Sequence, residues 1–148
     1  MKYTEKISNK LNELLEKNYD AEKGYLNSAK NVDNTSLKIF FKNRASERSQ
    51  FAKELRTEIL SYGQIPENAG SFQGTMHRNW MSLTSLFSGN DEEAILEEAL
   101  RGEKASLEEY QEILNYKDFA PSTQKMLEMQ HQKIQSAINS LMVEEELA

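Results

Sequence analysis

Residues 127–141 have the sequence Leu-Glu-Met-Gln-His-Gln-Lys-Ile-Gln-Ser-Ala-Ile-Asn-Ser-Leu. Leu127, Ile134 and Ile138 recur at the spacing of one face of an α-helix, so the stretch predicts an amphipathic helix. Glu128 and His131 are three positions apart and therefore lie side by side on a helix surface. This part of the chain thus combines a helical core pattern with two side chains that can bind a metal.

The same periodicity predicts three more long helices and a shorter one. The connections before the second and fourth helices are short, which predicts two antiparallel hairpins. The long connection between the hairpins favours a ferritin-like crossover, although a simple up-down bundle stays open. We therefore expect an all-α, ferritin-like four-helix bundle in one domain, residues 1–148. The four long helices are predicted at 3–31, 35–62, 91–116 and 121–143, with a crossover helix at 71–88.

Residues next to the predicted helix ends support these boundaries. Asn34 lies in an Asp-Asn-Thr-Ser run and can cap the second helix, because a short polar side chain accepts from the exposed N–H groups of a first turn. Gly63 is placed to stop that helix in a left-handed conformation. Glu144, Glu145 and Glu146 sit unfavourably at a helix C-terminus, so we expect the end of the chain to fray.

Composition and charge exclude several classes of protein. The chain has 148 residues, a net charge of −6 and no cysteine. An acidic chain without a basic face is not expected to bind nucleic acid, and no apolar stretch is long enough to span a membrane. The N-terminus lacks the apolar core of a signal peptide, so we expect a soluble, cytoplasmic protein. No nucleophile triad, phosphate loop or dinucleotide fingerprint is present, which leaves enzymatic activity open.

The spacing of several carboxylates suggests a metal site. Di-iron carboxylate bundles take one Glu from each of two helices and a Glu-x-x-His pair from each of the other two. Glu22 and Glu47 have the same separation as Glu103 and Glu128, but Gln50 stands where the first histidine would be. Carboxylates and imidazole suit iron or manganese. The candidate ligands are Glu22, Glu47, Gln50, Glu103, Glu128 and His131.

Each candidate ligand also has a structural interpretation. Glu103 falls on the apolar stripe of its helix, and a buried carboxylate requires a metal, a hydrogen-bond donor or a cation such as Arg44 or Arg48. His131 is expected on the inner stripe, where it could be a core polar group. The remaining glutamates occupy flank positions that suit solvent contact. Convergence of Glu103 and His131 would favour a metal, whereas pairing with arginine would favour a structural network.

Three motifs carry a resemblance to a known family. They are residues 45–52 (Ala-Ser-Glu-Arg-Ser-Gln-Phe-Ala), residues 70–81 (Gly-Ser-Phe-Gln-Gly-Thr-Met-His-Arg-Asn-Trp-Met), and residues 100–103 with 107–110. The chain resembles, from about residue 10 to 140, the bacterial ferritin-like four-helix-bundle proteins of unknown function called domain of unknown function 2383. The resemblance implies the bundle fold but no biochemical role.

Two functions therefore follow from the sequence. One is a ferritin-like bundle that binds one or two iron or manganese ions for redox or storage chemistry. The other is a metal-free bundle that acts through homo-oligomerisation or partner binding. Self-association is expected in either case, because ferritin-like bundles commonly assemble.

Overall fold

The structure is a computed structural model, and it describes residues 2–68 and 92–147. Four α-helices account for most of these residues, and no strand occurs among them. The predicted crossover helix at 71–88 lies outside the described residues. The four helices are α1 (Tyr3–Lys30), α2 (Thr35–Ser61), α3 (Glu92–Leu114) and α4 (Pro121–Leu147).

The helices form two antiparallel hairpins that pack against each other. Helix α1 packs along α2, and α3 packs along α4. Helix α1 also contacts α3, and α2 contacts α4, which closes the four helices into a bundle. Within the described ranges, none of these helices is long and apolar enough to cross a membrane. The prediction of a four-helix bundle is therefore confirmed.

Local chemistry explains where α2 begins and ends. The Asn34 side chain accepts a hydrogen bond from the Leu37 backbone N–H at 3.1 Å, which satisfies one exposed donor of the first turn. At the other end, Gly63 has a φ of 75°. Its N–H donates to Leu60, and the N–H of Gln64 donates to Ile59, which is the Schellman pattern. Both residues take the roles that the sequence predicted.

Helix α4 is longer than its sequence pattern predicts. It remains helical through Leu147, past the predicted end at 143, so the three glutamates near the terminus lie on its last turns. Helix α1 begins at the predicted position, and the other termini are within one or two residues of the predicted ones wherever the chain is described. Leu127, Ile134 and Ile138, predicted to lie on the apolar face of α4, are all buried.

The buried apolar residues form two clusters stacked along the bundle. One extends from Ile7 on α1 to Ile138 on α4, and the other surrounds Tyr25 and Phe41. Burial of this kind contributes about 25 cal/mol per Å² of apolar surface and is the main force holding helices together. All four helices also carry buried polar side chains, and a connected set of these defines the candidate site.

Replacing Gly63 with Ala should destabilise the bundle by about 1 kcal/mol. No atom lies within 4 Å of the position that a Cβ would take, so the cost is the positive φ and not a clash. Urea unfolding of Gly63→Ala would measure it. Gly63→Asn should lose clearly less, because Asn tolerates this conformation. Equal stability of all three proteins would contradict the assignment.

Candidate functional site

A buried ion pair lies at the centre of the bundle. Arg48 on α2 and Glu103 on α3 are 2% and 1% exposed, and the guanidinium Nη2 donates to Glu103 Oε1. The Tyr25 hydroxyl on α1 donates to the other carboxylate oxygen, Oε2, at 2.6 Å. The Arg48 guanidinium also lies 5.7 Å from the centre of the Phe51 ring. Both oxygens of Glu103 are thus satisfied by donors from two different helices.

Hydrogen bonds extend this pair to all four helices. Arg48 Nη1 donates to the side-chain oxygen of Asn18, Oδ1, at 2.7 Å. The side-chain nitrogen of Asn18, Nδ2, donates to the Tyr110 hydroxyl at 3.0 Å. The Tyr110 hydroxyl in turn donates to the side-chain oxygen of Gln130, Oε1, at 2.6 Å. The Gln130 amide donates to Glu54 at 2.9 Å and to the Phe51 carbonyl at 3.3 Å. We call the six buried residues of this system the central network: Asn18, Tyr25, Arg48, Glu103, Tyr110 and Gln130.

Burial and charge shift the ionisation of this network. Burial raises the pKa of Tyr25 well above its ordinary value, and the adjacent Glu103 carboxylate raises it further. The pKa of Tyr110 is also raised, mainly by burial, although Arg48 opposes the shift. Burial has the largest single effect on the pKa of Arg48 and lowers it, but Glu103, Tyr110 and Tyr25 together raise this pKa by more. At neutral pH the network therefore holds two neutral tyrosines and a charged arginine.

The other predicted metal ligands lie apart from the network. Glu22 is half-buried, and burial raises the pKa of its carboxyl while Arg56 lowers it. Glu47 accepts from Arg44 at 3.0 Å. Exposed Gln50 donates to Glu54 at 3.5 Å, and exposed Glu128 accepts from Gln124 at 2.9 Å.

His131 occupies a different position from the expected one. It is half-buried, whereas its neighbour Gln130 is 1% exposed and fills the inner position between Leu127 and Ile134. Among the residues that the structure describes, His131 Nε2 is buried without a hydrogen-bond partner, as is the hydroxyl of Ser106. The expectation that His131 lies on the inner stripe was wrong, because a shift of one residue turns a side chain by about 100° around a helix.

The side chains present do not fit a carboxylate metal centre in this arrangement. No two of the six predicted ligands are hydrogen-bonded to each other, and Glu103 faces Arg48. No group of three or more His, Cys, Asp or Glu side chains in residues 2–68 and 92–147 is arranged to hold a metal ion. The proposed ligand set therefore stays a prediction that rests on sequence spacing alone.

A groove between α2 and α4 is lined in part by Gln130 of the central network. It has a volume of about 420 Å³ and contains Met126, Met129 and Gln130 of α4. Glu54, which accepts from Gln130, belongs to its α2 wall. Lys53, Lys125 and Lys133 also line it, and all three are exposed. The lining of the groove thus combines two methionines and three lysines with two carboxylates, Glu54 and Glu58.

Sequence reasoning identified part of the central network. It placed Glu103 inside the bundle and named Arg48 among its candidate partners, but it assigned no role to Tyr25 or Tyr110. Asn18 and Gln130 were missed. A signal for both was available, because each amide falls within the apolar stripe of its helix, and a buried amide requires hydrogen-bond partners.

Removing either member of the Arg48–Glu103 pair should destabilise the bundle. We expect Arg48→Met and Glu103→Leu each to destabilise the bundle by about 3–5 kcal/mol, because each leaves a buried charge without its partner. The double variant should cost less than the sum of the two by at least about 2 kcal/mol. Urea unfolding of the four proteins measures this coupling, and strictly additive losses would contradict a direct interaction.

Stability should fall at alkaline pH because of the buried tyrosines. Below about pH 10 their hydroxyls are protonated in both the folded and the unfolded chain, so their contribution is fully present. As the pH rises further, the unfolded chain loses these protons first, since the folded-state pKa values are raised, and the free energy of unfolding falls. Tyr25→Phe removes one of the phenols that titrate. The free energy of unfolding should then fall less steeply with pH, by the contribution of about one proton.

Urea unfolding between about pH 8 and pH 11 tests this dependence. Ile59→Val is a suitable control, because it removes a buried methyl group and no titratable group. We expect it to lower stability by a similar amount at every pH. If Tyr25→Phe had the same slope as the original chain, Tyr25 would not be the buried neutral phenol described here.

Comparison with known proteins agrees with the fold. No curated protein matches the sequence. Among solved structures, the chain is similar to a dodecameric thioferritin, the bacterioferritin-related protein of Bacteroides fragilis, with a TM-score of 0.77 and 16% identity. The match covers 94% of this chain and 83% of that one. The model of the domain of unknown function DUF2383 matches residues 6–116. The chain therefore belongs to the DUF2383 family and has the ferritin-like four-helix fold.

Proposed function

We propose that this protein is a metal-independent member of the ferritin-like fold that acts by assembling with copies of itself. The observation that carries the proposal is the buried Arg48–Glu103 pair. In this chain the inward-facing carboxylate of α3 is neutralised by a guanidinium from α2. Arginine does not lose its proton in proteins, so this positive charge is permanent.

The energetics of burial support a structural role for this pair. A metal ion bound to Glu103 would have to displace Arg48, and the displaced guanidinium would then lie inside the bundle without a counter-charge. Removing one partner of a buried ion pair costs several kcal/mol. Asn18 and Tyr25 add hydrogen bonds to the pair, which raises the cost of rearranging it. A metal would have to overcome this penalty before it gained anything from binding.

Assembly is supported by the surface and by a structural relative. The similar bacterioferritin-related protein is dodecameric. In the present chain, Met129, Met142, Val143 and Leu147 of α4 are each between 47% and 77% exposed. Met142, Val143 and Leu147 lie within the last two turns of α4, and contiguous exposed apolar residues are characteristic of protein–protein contact surfaces. We therefore infer a homo-oligomer, with no catalytic step assigned to the bundle.

Metal content and size together test this function. The rival hypothesis is an iron or manganese site on Glu22, Glu47, Gln50, Glu103, Glu128 and His131. The protein should be reconstituted anaerobically with ferrous iron, and separately with manganese, beside a His131→Ala control. We expect the original chain to retain no more metal than the control and to show no metal-dependent rise in Tm, because a bound ion would stabilise the folded state.

Light scattering on the same samples should show association without added metal. Retention of about two ions per chain, as paired-metal sites require, and their loss in His131→Ala would overturn the proposal. If the chain stays monomeric at every concentration, the proposal that it acts by self-assembly is overturned.

A further inference from the structure

Two methionines of α4 are exposed to nearly the same extent. Met129 is 48% exposed and Met142 is 47% exposed. Both belong to one continuous helix, and both side chains carry the same thioether sulfur. A small oxidant in solution therefore reaches the two residues about equally well. A difference in their reactivity has to come from the side chains around them.

Two lysines are the charged neighbours of Met129 along its helix. Residues four positions apart lie side by side on a helix surface. Lys125 precedes Met129 by four positions, and Lys133 follows it by four. Both lysines are exposed and line the same groove as Met129. Neither forms an ion pair with another of the residues that the structure describes, so each ammonium group can donate to a molecule at the sulfur.

The carboxylates of the groove are held by other donors. Glu54 on α2 accepts from the side chain of Gln130 at 2.9 Å. Glu58, one turn further along α2, accepts from the Thr123 hydroxyl at 2.6 Å, in the first turn of α4. These contacts fix both carboxylates on the opposite wall of the groove. They leave the two lysines as the charged groups one helical turn from Met129.

Met142 has neighbours of the opposite charge. Glu145 and Glu146 follow it by three and four positions. The residues three and four positions before it, Asn139 and Ile138, carry no charge. Met142 thus matches Met129 in helix and in exposure but has carboxylates in place of ammonium groups. It is an internal reference for the effect of the lysines.

We propose that Met129 is a site of oxidation by hydrogen peroxide and that Lys125 and Lys133 promote the reaction. The sulfur donates an electron pair to one peroxide oxygen, so an S–O bond forms while the O–O bond breaks. The departing oxygen takes a proton from a lysine ammonium group and leaves as water. The proton of the new S–OH group then returns to that lysine. Sulfur loses two electrons, peroxide gains them, and the products are methionine sulfoxide and water.

The lysines act on the charge that develops during this reaction. Negative charge accumulates on the departing oxygen as the O–O bond breaks, and a donor already in place stabilises it. Hydrogen bonds from a charged donor are stronger than those from a neutral one. Both ammonium groups are exposed, and water screens exposed charges, so the effect is modest. We expect Met129 to be oxidised about threefold faster than Met142.

The inference goes beyond the proposed function and does not depend on self-assembly. Oxidation converts a flexible apolar side chain into a polar one. The new sulfoxide oxygen is a hydrogen-bond acceptor between two ammonium groups that only donate. The groove between α2 and α4 would then carry a polar group at one of its two methionines.

A single peptide allows both rates to be measured in one sample. The full-length protein would be treated with hydrogen peroxide for a series of times, quenched, unfolded and cleaved after glutamate. Cleavage after Glu128 and Glu144 releases one peptide that contains Met129, Met142 and no other methionine. Mass spectrometry of this peptide then gives the oxidised fraction at each position.

Neutral substitution of the two lysines is the decisive comparison. Lys125→Gln with Lys133→Gln should lower the oxidation rate of Met129 by about threefold and leave that of Met142 unchanged. If Met129 reacts as fast in this variant as in the original chain, the inference is overturned. A contact between copies that covered one methionine would change the ratio of the two rates but not its dependence on the lysines.

Two further variants separate local charge from net charge. Lys23→Gln with Lys42→Gln makes the same change in net charge at exposed positions on α1 and α2. It should leave the rate at Met129 unaltered, and a fall equal to that in the groove variant would contradict a local effect.

The reverse change is made beside the reference methionine. Glu145→Lys with Glu146→Lys should raise the oxidation rate of Met142 to about that of Met129. Urea unfolding of each variant would confirm that the bundle is intact. An unchanged rate at Met142 in a folded variant would count against promotion by neighbouring ammonium groups.

Discussion

The charge of Arg48 is the constraint on which the interior of this bundle depends. A guanidinium is permanently positive, and only 2% of this residue is exposed. It therefore requires a carboxylate and hydrogen-bond acceptors at fixed positions on neighbouring helices, and Glu103 and Asn18 supply them. The network restricts how α1, α2 and α3 align along the bundle, because each partner must stay within hydrogen-bond reach of a buried group. The buried charge thus contributes to the uniqueness of the fold as well as to its stability.

The fold was predictable because its determinants are local or periodic. Leu127, Ile134 and Ile138 follow the helical repeat and are buried, and Asn34 and Gly63 end their helices through short-range chemistry that any context would preserve. The inward position of Glu103 followed from its place among apolar neighbours. The crossover helix between the hairpins is the part of the predicted architecture that the described residues leave as an expectation.

The partner of Glu103 could not be predicted from spacing, because it depends on how α2 and α3 align in three dimensions. A metal, Arg44 and Arg48 were all consistent with the sequence, and only the relative rotation of the helices selects Arg48. The position of His131 likewise depends on how its helix is rotated in the bundle. Gln130 and His131 are adjacent, and the small rotation that decides which of them faces the core is set by packing against Phe51 and Tyr110. The metal prediction considered mainly carboxylates, so Asn18 and Gln130, the two amides of the network, were not identified.

Helix α4 differs from the other three in the demands on its sequence. One side supplies Leu127, Gln130 and Ile134 to the interior, and an adjacent side, with Met126 and Met129, lines the groove between α2 and α4. A change on either side is thus constrained by a different neighbour.

From Arg48 onward, the hydrogen bonds through Asn18, Tyr110 and Gln130 all have the same direction. Arginine only donates, so Asn18 must turn its oxygen towards Arg48 and its amide towards Tyr110. Tyr110 accepts that bond and donates to Gln130, whose own amide donates to Glu54 at the groove. A single buried cation therefore orients two amides and a hydroxyl in sequence, and reversing any one of them would require reversing the others. The bundle interior has a defined polarity, which runs from the guanidinium at its centre to a carboxylate near its surface.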